Sequence, residues 1–339
     1  MRPPRALFTF PGRISIRREA PDVGDRDEGI AVAIAEEQSP TDGRLAADRK
    51  LAEKVNKAPL LNLEDLRLSF PTGEVLKGVT FSVQPGEFVG LIGESGSGKS
   101  LTAQALLQLW PHSPHQHSGR LFFQGQDLFS LSEKAMQQIR GQTISMVFQD
   151  PHASLNPTMR IGEQMTESIR YHRHMRKPEA WQLATQWLTR VGMSEATLRL
   201  RQYPHELSGG MKQRVMIGMA MMSQPALLVA DEPTTALDAT IQAQILELFK
   251  QLRQDFGTAI LLITHDLGVV ARCCDRVLVM HRGNIIEDRL VHDLFTTPQH
   301  PYTQRLLEAK QRLTRGKNLL ENHLEYRHAN HEIGSKSDD

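Results

Sequence analysis

The stretch Gly93-Glu94-Ser95-Gly96-Ser97-Gly98-Lys99-Ser100 fits the pattern G-x-x-x-x-G-K-[ST] without a mismatch. Its glycines let backbone N–H groups curl around phosphate oxygens with no Cβ in the way. Lys99 is placed to reach the β- and γ-phosphates, and the Ser100 hydroxyl is a ligand for Mg²⁺. Ser100 and Leu101 open a helix whose positive end faces the same anion. A second constellation, Leu227-Leu228-Val229-Ala230-Asp231-Glu232, is an apolar run ending in two acids. Asp231 suits the metal, and Glu232 suits orienting and polarising an attacking water. Together the two read as binding and cleavage of a nucleoside triphosphate. The loop taken alone leaves kinases, GTPases, helicases and transport ATPases all open.

These groups need rigid elements behind them. Phe88 to Ile92 is a short continuous apolar run, the mark of a strand buried on both faces, and the glycine-rich loop follows it directly. A helix is expected from Ser100 through Leu109. Ile144–Phe148, Ala226–Ala230 and Ala259–Ile263 read as further strands. Ala239–Phe256 reads as a helix with Ile241, Ile245, Leu246, Leu248 and Phe249 on one side, and Pro178–Val191 as another, its proline in the first turn. Strands alternating with helices predict an α/β sheet. Upstream, Leu61, Leu63, Leu66 and Leu68 alternate loosely up to the turn Phe70-Pro71-Thr72-Gly73, and Val79–Val83 alternates after it.

The whole chain sets the limits. Its 339 residues, with 40 basic and 39 acidic side chains, exceed one ordinary domain and give a net charge of only +1, which offers no argument for nucleic-acid binding. Two adjacent cysteines, Cys273 and Cys274, form neither a disulfide framework nor a zinc set. No apolar run approaches the roughly 18–20 residues that cross a bilayer. Residues 1–57, arginine-rich at the start and then of mixed charge, predict a disordered extension, and residues 311–339 a polar tail.

Leu207-Ser208-Gly209-Gly210-Met211-Lys212-Gln213-Arg214, a short stretch before the acid pair, resembles the signature motif of ATP-binding-cassette (ABC) ATPases. The resemblance implies a phosphate-loop ABC nucleotide-binding domain over about 58–310: a RecA-like α/β core, an antiparallel β-subdomain and a helical subdomain near 152–206. It implies that Phe70 stacks on adenine, that Gln149 touches Mg²⁺ and water, and that His265 contacts the γ-phosphate. It implies that Asp238, in Ala236-Leu237-Asp238, crosses a dimer interface. Ser208, Gly209, Gly210 and Gln213 would act on the ATP of an opposite subunit, so that two nucleotides are sandwiched head to tail. ATP and Mg²⁺ are the expected cofactors.

Finer resemblance points to the importer ATPases for oligopeptides, dipeptides and nickel. It rests on Phe148-Gln149-Asp150-Pro151, Ser154-Leu155-Asn156-Pro157, Tyr203-Pro204-His205-Glu206-Leu207-Ser208, Asp231-Glu232-Pro233-Thr234-Thr235-Ala236-Leu237-Asp238 and His300-Pro301-Tyr302-Thr303. The partners implied are two permease subunits, a second ATPase subunit (the same or paralogous) and a solute-binding protein, at the cytoplasmic face of a bacterial inner membrane, with no nucleic acid. The tail lacks the cysteines that some members carry there, so no iron–sulfur cluster is expected. Peptide uptake is the leading reading. Nickel or another small solute is the alternative cargo, and a soluble ABC ATPase not coupled to transport is the alternative class. His112, His115 and His117 read as a surface loop, Met216, Met219, Met221 and Met222 as packing, and the cysteine pair as small buried hydrophobes.

Overall fold

The uneven leucine spacing at 61, 63, 66 and 68 marks a bulge. In strand β1 (Leu61–Phe70) all four side chains are buried. The register against β2 (Gly73–Val83) shifts between Leu63 and Leu66, where Asp65 takes φ 46°. One extra residue is absorbed there, and Leu66 returns to the core face. β1 also pairs with β4 (Gln116–Phe123), which carries β5 (Gln126–Asp127) at its edge, giving an antiparallel sheet in the order β2-β1-β4-β5. His117 lies in β4 rather than in the expected loop, and it is exposed.

The structure, a computed structural model, describes residues 58–110, 116–235 and 237–309. The expected extension 1–57, the tail 311–339, His112, His115 and Ala236 lie outside the described residues.

The second sheet runs β10-β9-β3-β8-β7-β6, from β3 (Phe88–Ile92), β6 (Ile144–Val147), β7 (Leu227–Asp231), β8 (Ala259–Ile263), β9 (Arg276–His281) and β10 (Asn284–Leu290). Every residue of β3, β7 and β8 is buried, as the continuous apolar runs require of parallel strands covered on both faces. Only β10 pairs antiparallel, at the edge. The registers Asp231↔Ile263 and Leu91↔Ile263 bring the carboxyl ends of β7, β8 and β3 to one edge of the sheet. Ligands of open α/β sheets sit in this place.

Around these sheets lie α1 (Lys99–Leu106), α2 (Glu133–Ile139), α3 (Pro151–Ser154), α4 (Ile161–Arg173), α5 (Lys177–Arg190), α6 (Ala196–Arg199), a 3₁₀ turn (Pro204–Glu206), α7 (Gly209–Met221), α8 (Ala239–Phe256), α9 (Leu267–Cys273) and α10 (Val291–Thr296); residues 301–309 are helical as well. The helix after the glycine-rich loop stops at Leu106, short of the expected Leu109: the next residue is its cap and Gln108 turns to φ 51°. Between Pro151 and Glu206 the chain is helical throughout, apart from its connections. There α4 and α5 meet so closely that a Cβ on Gly162 would lie 2.4 Å from the Trp181 ring. Met216, Met221 and Met222 are buried and Met219 is packed against the same cluster, while Cys273 is buried at the end of α9. No helix among the described residues is long and apolar enough to cross a membrane.

Candidate nucleotide site

The glycine-rich loop joins β3 to α1, and two of its glycines are dictated by their surroundings. Gly93 sits at φ 153°, with space for a Cβ closed by the Met280 carbonyl at 2.1 Å. Gly98, at φ 109°, is the N-cap residue of α1 and packs on Leu76 and Met280. Glu94, Ser95 and Gly96 form the exposed crest of the loop, while Ser97 is buried and Leu101 is half-buried on the helix behind. The Lys99 side chain turns back over this crest, and its Nζ donates to the carbonyls of Gly93 (2.9 Å) and Glu94 (2.8 Å). Burial pulls the Lys99 ammonium below its ordinary pKa, and the nearby carboxylates of Glu232, Asp231 and Glu94 oppose that shift. A desolvated ammonium on a loop of glycines is an anion receptor.

From β7 come the two acids. Asp231 is buried, and Ser100 Oγ donates to its Oδ1 at 3.0 Å. Burial raises the Asp231 carboxyl above its usual range; the Ser100 hydrogen bond pulls the other way, while the Glu232 charge adds to the rise. Glu232 stands just past the strand at φ 44°, and its backbone N–H is held by the Ile263 carbonyl at 2.9 Å. Its carboxylate gathers three partners. Gln149 Nε2 donates to Oε2 at 3.0 Å, Thr235 Oγ1 donates to the same oxygen at 2.9 Å, and His265 Nδ1 lies 3.4 Å from Oε1. The His265 side chain stays 60% exposed, facing outward beside the acid. Thus Gln149 after β6, Glu232 after β7 and His265 after β8 converge on one point, beside the Lys99–Ser100–Asp231 cradle.

Phe70 ends β1 in a two-residue turn to Gly73 and is half-buried against the antiparallel sheet. Asp238 caps α8, accepting from the Ile241 N–H at 2.9 Å. Ser208 caps α7 in the same manner, through the Met211 N–H at 3.3 Å. Gly209 and Gly210 follow it, half-buried, with Ile241 so near Gly210 that a Cβ there would meet it at 3.0 Å. Among the described residues, no hydrogen bond joins Ser208, Gly209 or Gly210 to the glycine-rich loop of the same chain. Gln213, further along the same helix, is only 2% exposed.

Two participants have no role that the sequence assigns to them. Thr235 is one; it reaches the Glu232 carboxylate from a turn closed by Thr235 N–H to Glu232 O at 3.1 Å. Tyr302 is the other, its hydroxyl accepting from the Glu94 N–H at 3.0 Å across the sheet edge.

The chain has relatives among known proteins in both sequence and fold. The family described as ABC transporter matches residues 76–235. An oligopeptide transport ATP-binding protein of Bacillus subtilis is 52% identical over 73% of this chain and 71% of its own length. The dipeptide transport ATP-binding protein of the same organism is 47% identical over 75% and 77%. Among solved structures, the dimeric post-hydrolysis state of the ATP-binding cassette MJ0796, bound to ADP and Pi, superposes with a TM-score of 0.61 at 26% identity, covering 68% of this chain and 98% of that one. The cbiO1 subunit from Clostridium perfringens, part of the ABC transporter complex cbiONQ, gives 0.62 at 27% identity, covering 78% and 100%. With a cassette fold, a phosphate-binding loop followed in order by the signature and acid-pair motifs, and relatives of this identity over most of its length, the chain belongs to the ABC transporter family of ATP-binding proteins.

Proposed function

We propose that this chain is the ATP-hydrolysing subunit of a peptide importer, driving the uptake of di- and oligopeptides through partner permeases. The observation that carries the chemistry is the convergence of Gln149, Glu232 and His265 beside the Lys99–Ser100–Asp231 cradle. The transport names of the relatives support the cargo.

In this reading the backbone N–H groups of Gly93 to Leu101 hold the phosphates, and Phe70 stacks on the adenine. Lys99 leaves its two carbonyl partners to neutralise charge on the γ-phosphate. Glu232 accepts a hydrogen bond from a water held in line with the γ-phosphorus, and Gln149 and His265 fix both groups in place. Water attack breaks the bond to the β–γ bridging oxygen, leaving ADP and phosphate. The oxygen donors of Ser100 and Asp231, 3.0 Å apart, suit a hard divalent cation. Ser100, Asp231 and Gln149 would hold Mg²⁺, which when bound supplies charge neutralisation on the phosphate oxygens.

Ser208, Gly209 and Gly210 complete the site of a second ATPase subunit, with Asp238 at the crossing. Gln213, being buried, supports α7 from within. ATP then closes the pair of subunits and hydrolysis releases it, a two-state element that can move attached permeases. The full unit has two permeases, two ATPase subunits and a solute-binding protein, with this chain at the cytoplasmic face of a bacterial inner membrane.

Uptake of labelled di- and oligopeptides, and of nickel, in cells lacking the chain tests the proposal. Peptide uptake is expected to be lost and to be restored by the wild type but not by Glu232→Gln. Loss of nickel uptake alone would replace the cargo, and unchanged uptake of every solute would remove the importer reading.

A further inference from the structure

Tyr302, in the His300-Pro301-Tyr302-Thr303 element, has no role among the site residues named from the sequence, yet it touches the phosphate loop. It is 5% exposed, held by Ile92, Val279, Leu294 and Leu307 in one apolar cluster, with its ring 4.0 Å from that of His281 between centroids. Its segment is pinned from the sheet edge: the Glu287 carboxylate accepts the backbone N–H groups of Gln299 and His300 at 2.5 and 2.9 Å. The Tyr302 N–H in turn donates to His300 Nδ1 at 3.1 Å. Thus fixed, the Tyr302 hydroxyl accepts the Glu94 N–H at 3.0 Å. The carbonyl of that same Glu94 is one of the two acceptors that hold Lys99 Nζ.

We infer that Tyr302 is a positioning residue for ATP binding, its hydroxyl fixing the crest of the phosphate loop through Glu94. The inference rests on the reading of this loop as the ATP site. Glu94, Ser95 and Gly96 are exposed, and among the described residues Lys99 is the only other side chain that hydrogen-bonds to them. A loop whose N–H groups must converge on phosphate binds more weakly when its crest can wander, because the ordering entropy is then lost on binding. A neutral hydrogen bond of this kind contributes enough to shift an equilibrium by about 3- to 10-fold. The consequence falls on ground-state binding, since Tyr302 touches neither the attacking water nor Glu232. It also links the segment 298–309, which carries the tyrosine, to the occupancy of the site.

The test uses the full-length chain, titrated with a fluorescent ATP analogue in Mg²⁺ and assayed for steady-state hydrolysis. Lys99→Ala serves as the reference for a damaged loop, and Leu307→Ala as a variant that loosens the same cluster but keeps the hydroxyl. Tyr302→Phe is expected to raise Kd and KM for ATP about 3- to 10-fold, with kcat within about two-fold of the wild type. Leu307→Ala is expected to lower the melting temperature more than Tyr302→Phe does, with KM near the wild-type value. Unchanged Kd in Tyr302→Phe overturns the inference. So does a loss confined to kcat, or an equal rise in KM in Leu307→Ala, which would make the effect one of packing. A wild-type chain that binds no ATP would instead remove the nucleotide-site reading itself.

Discussion

Asp231 is a carboxylate held at a cost. Its environment raises its pKa above the ordinary 3.8, chiefly through burial, so the folded ligand-free chain binds that proton more tightly than the unfolded chain does. Stability from this group is therefore greatest below the ordinary carboxylate value. It is lost as pH rises from there through the raised one, and at neutral pH the charged form is a net liability. Asp231→Asn keeps an oxygen for the Ser100 hydroxyl but removes the buried charge. The variant is expected to melt a few degrees higher than the wild type at neutral pH in the absence of nucleotide, with the difference shrinking toward pH 4, and to lose ATP hydrolysis. Thermal melts across that pH range check it, and a lower melting temperature at pH 7 would show that attraction to Lys99 outweighs desolvation. Glu232 shows the same tension in its backbone: φ 44° for a glutamate costs on the order of 1–3 kcal/mol, and the Ile263 carbonyl, Thr235 and Gln149 keep it there.

Among the elements, the contact between α4 and α5 is tuned by the absence of a side chain. Gly162 lies under the Trp181 ring, at distances where a Cβ would meet three ring atoms at 2.4–2.7 Å. A flat ring cannot yield as a flexible chain end would, so the helices themselves must part. Gly162→Ala is expected to cost about 1–3 kcal/mol by overpacking, outweighing the gain in helix propensity of roughly 1 kcal/mol. Replacing Trp181 by Leu in the same chain should recover part of that loss, since it removes the clashing atoms. Urea unfolding of the two single variants and the pair measures the coupling, and simple additivity would show that the ring is not what the methyl meets. The helices involved carry the region between Gln149 and Ser208, so in the proposed dimer loosening them bears on the link between one ATP site and the other.

At the scale of the molecule, the proposed function assigns one chain two half-sites. The cradle at Lys99 has its acids and its switch-like histidine but no contact from Ser208, which caps α7. Glu232→Gln tests the proposed completion by a second subunit. With hydrolysis blocked, ATP and Mg²⁺ are expected to convert the variant from monomer to dimer in size-exclusion chromatography with light scattering, whereas ADP is not. A variant that remains monomeric at saturating ATP would sink the closure of identical subunits and leave a paralogous partner as the second half. The dimeric state described for the ATP-binding cassette MJ0796 is consistent with the first outcome.

Much of this was legible in short windows of sequence. The glycine-rich loop declares itself because its job, wrapping a phosphate with backbone, demands glycine at fixed spacing and a lysine beside it. The fully buried strands β3, β7 and β8 declare themselves because a parallel strand covered on both faces has nowhere to place a polar side chain. Ser208 and Asp238 are likewise readable as caps, since capping is settled within three residues. What the tertiary structure decided is every relation between distant segments. Ser100 meets Asp231 across 131 residues, Gln149 meets Glu232 across 83, and Tyr302 meets Glu94 across 208. Those pairings depend on strand order and register, which no local pattern encodes. The same holds for the burial of Gln213 on α7, because a helix nearly surrounded by core offers little polar face from which to read its orientation.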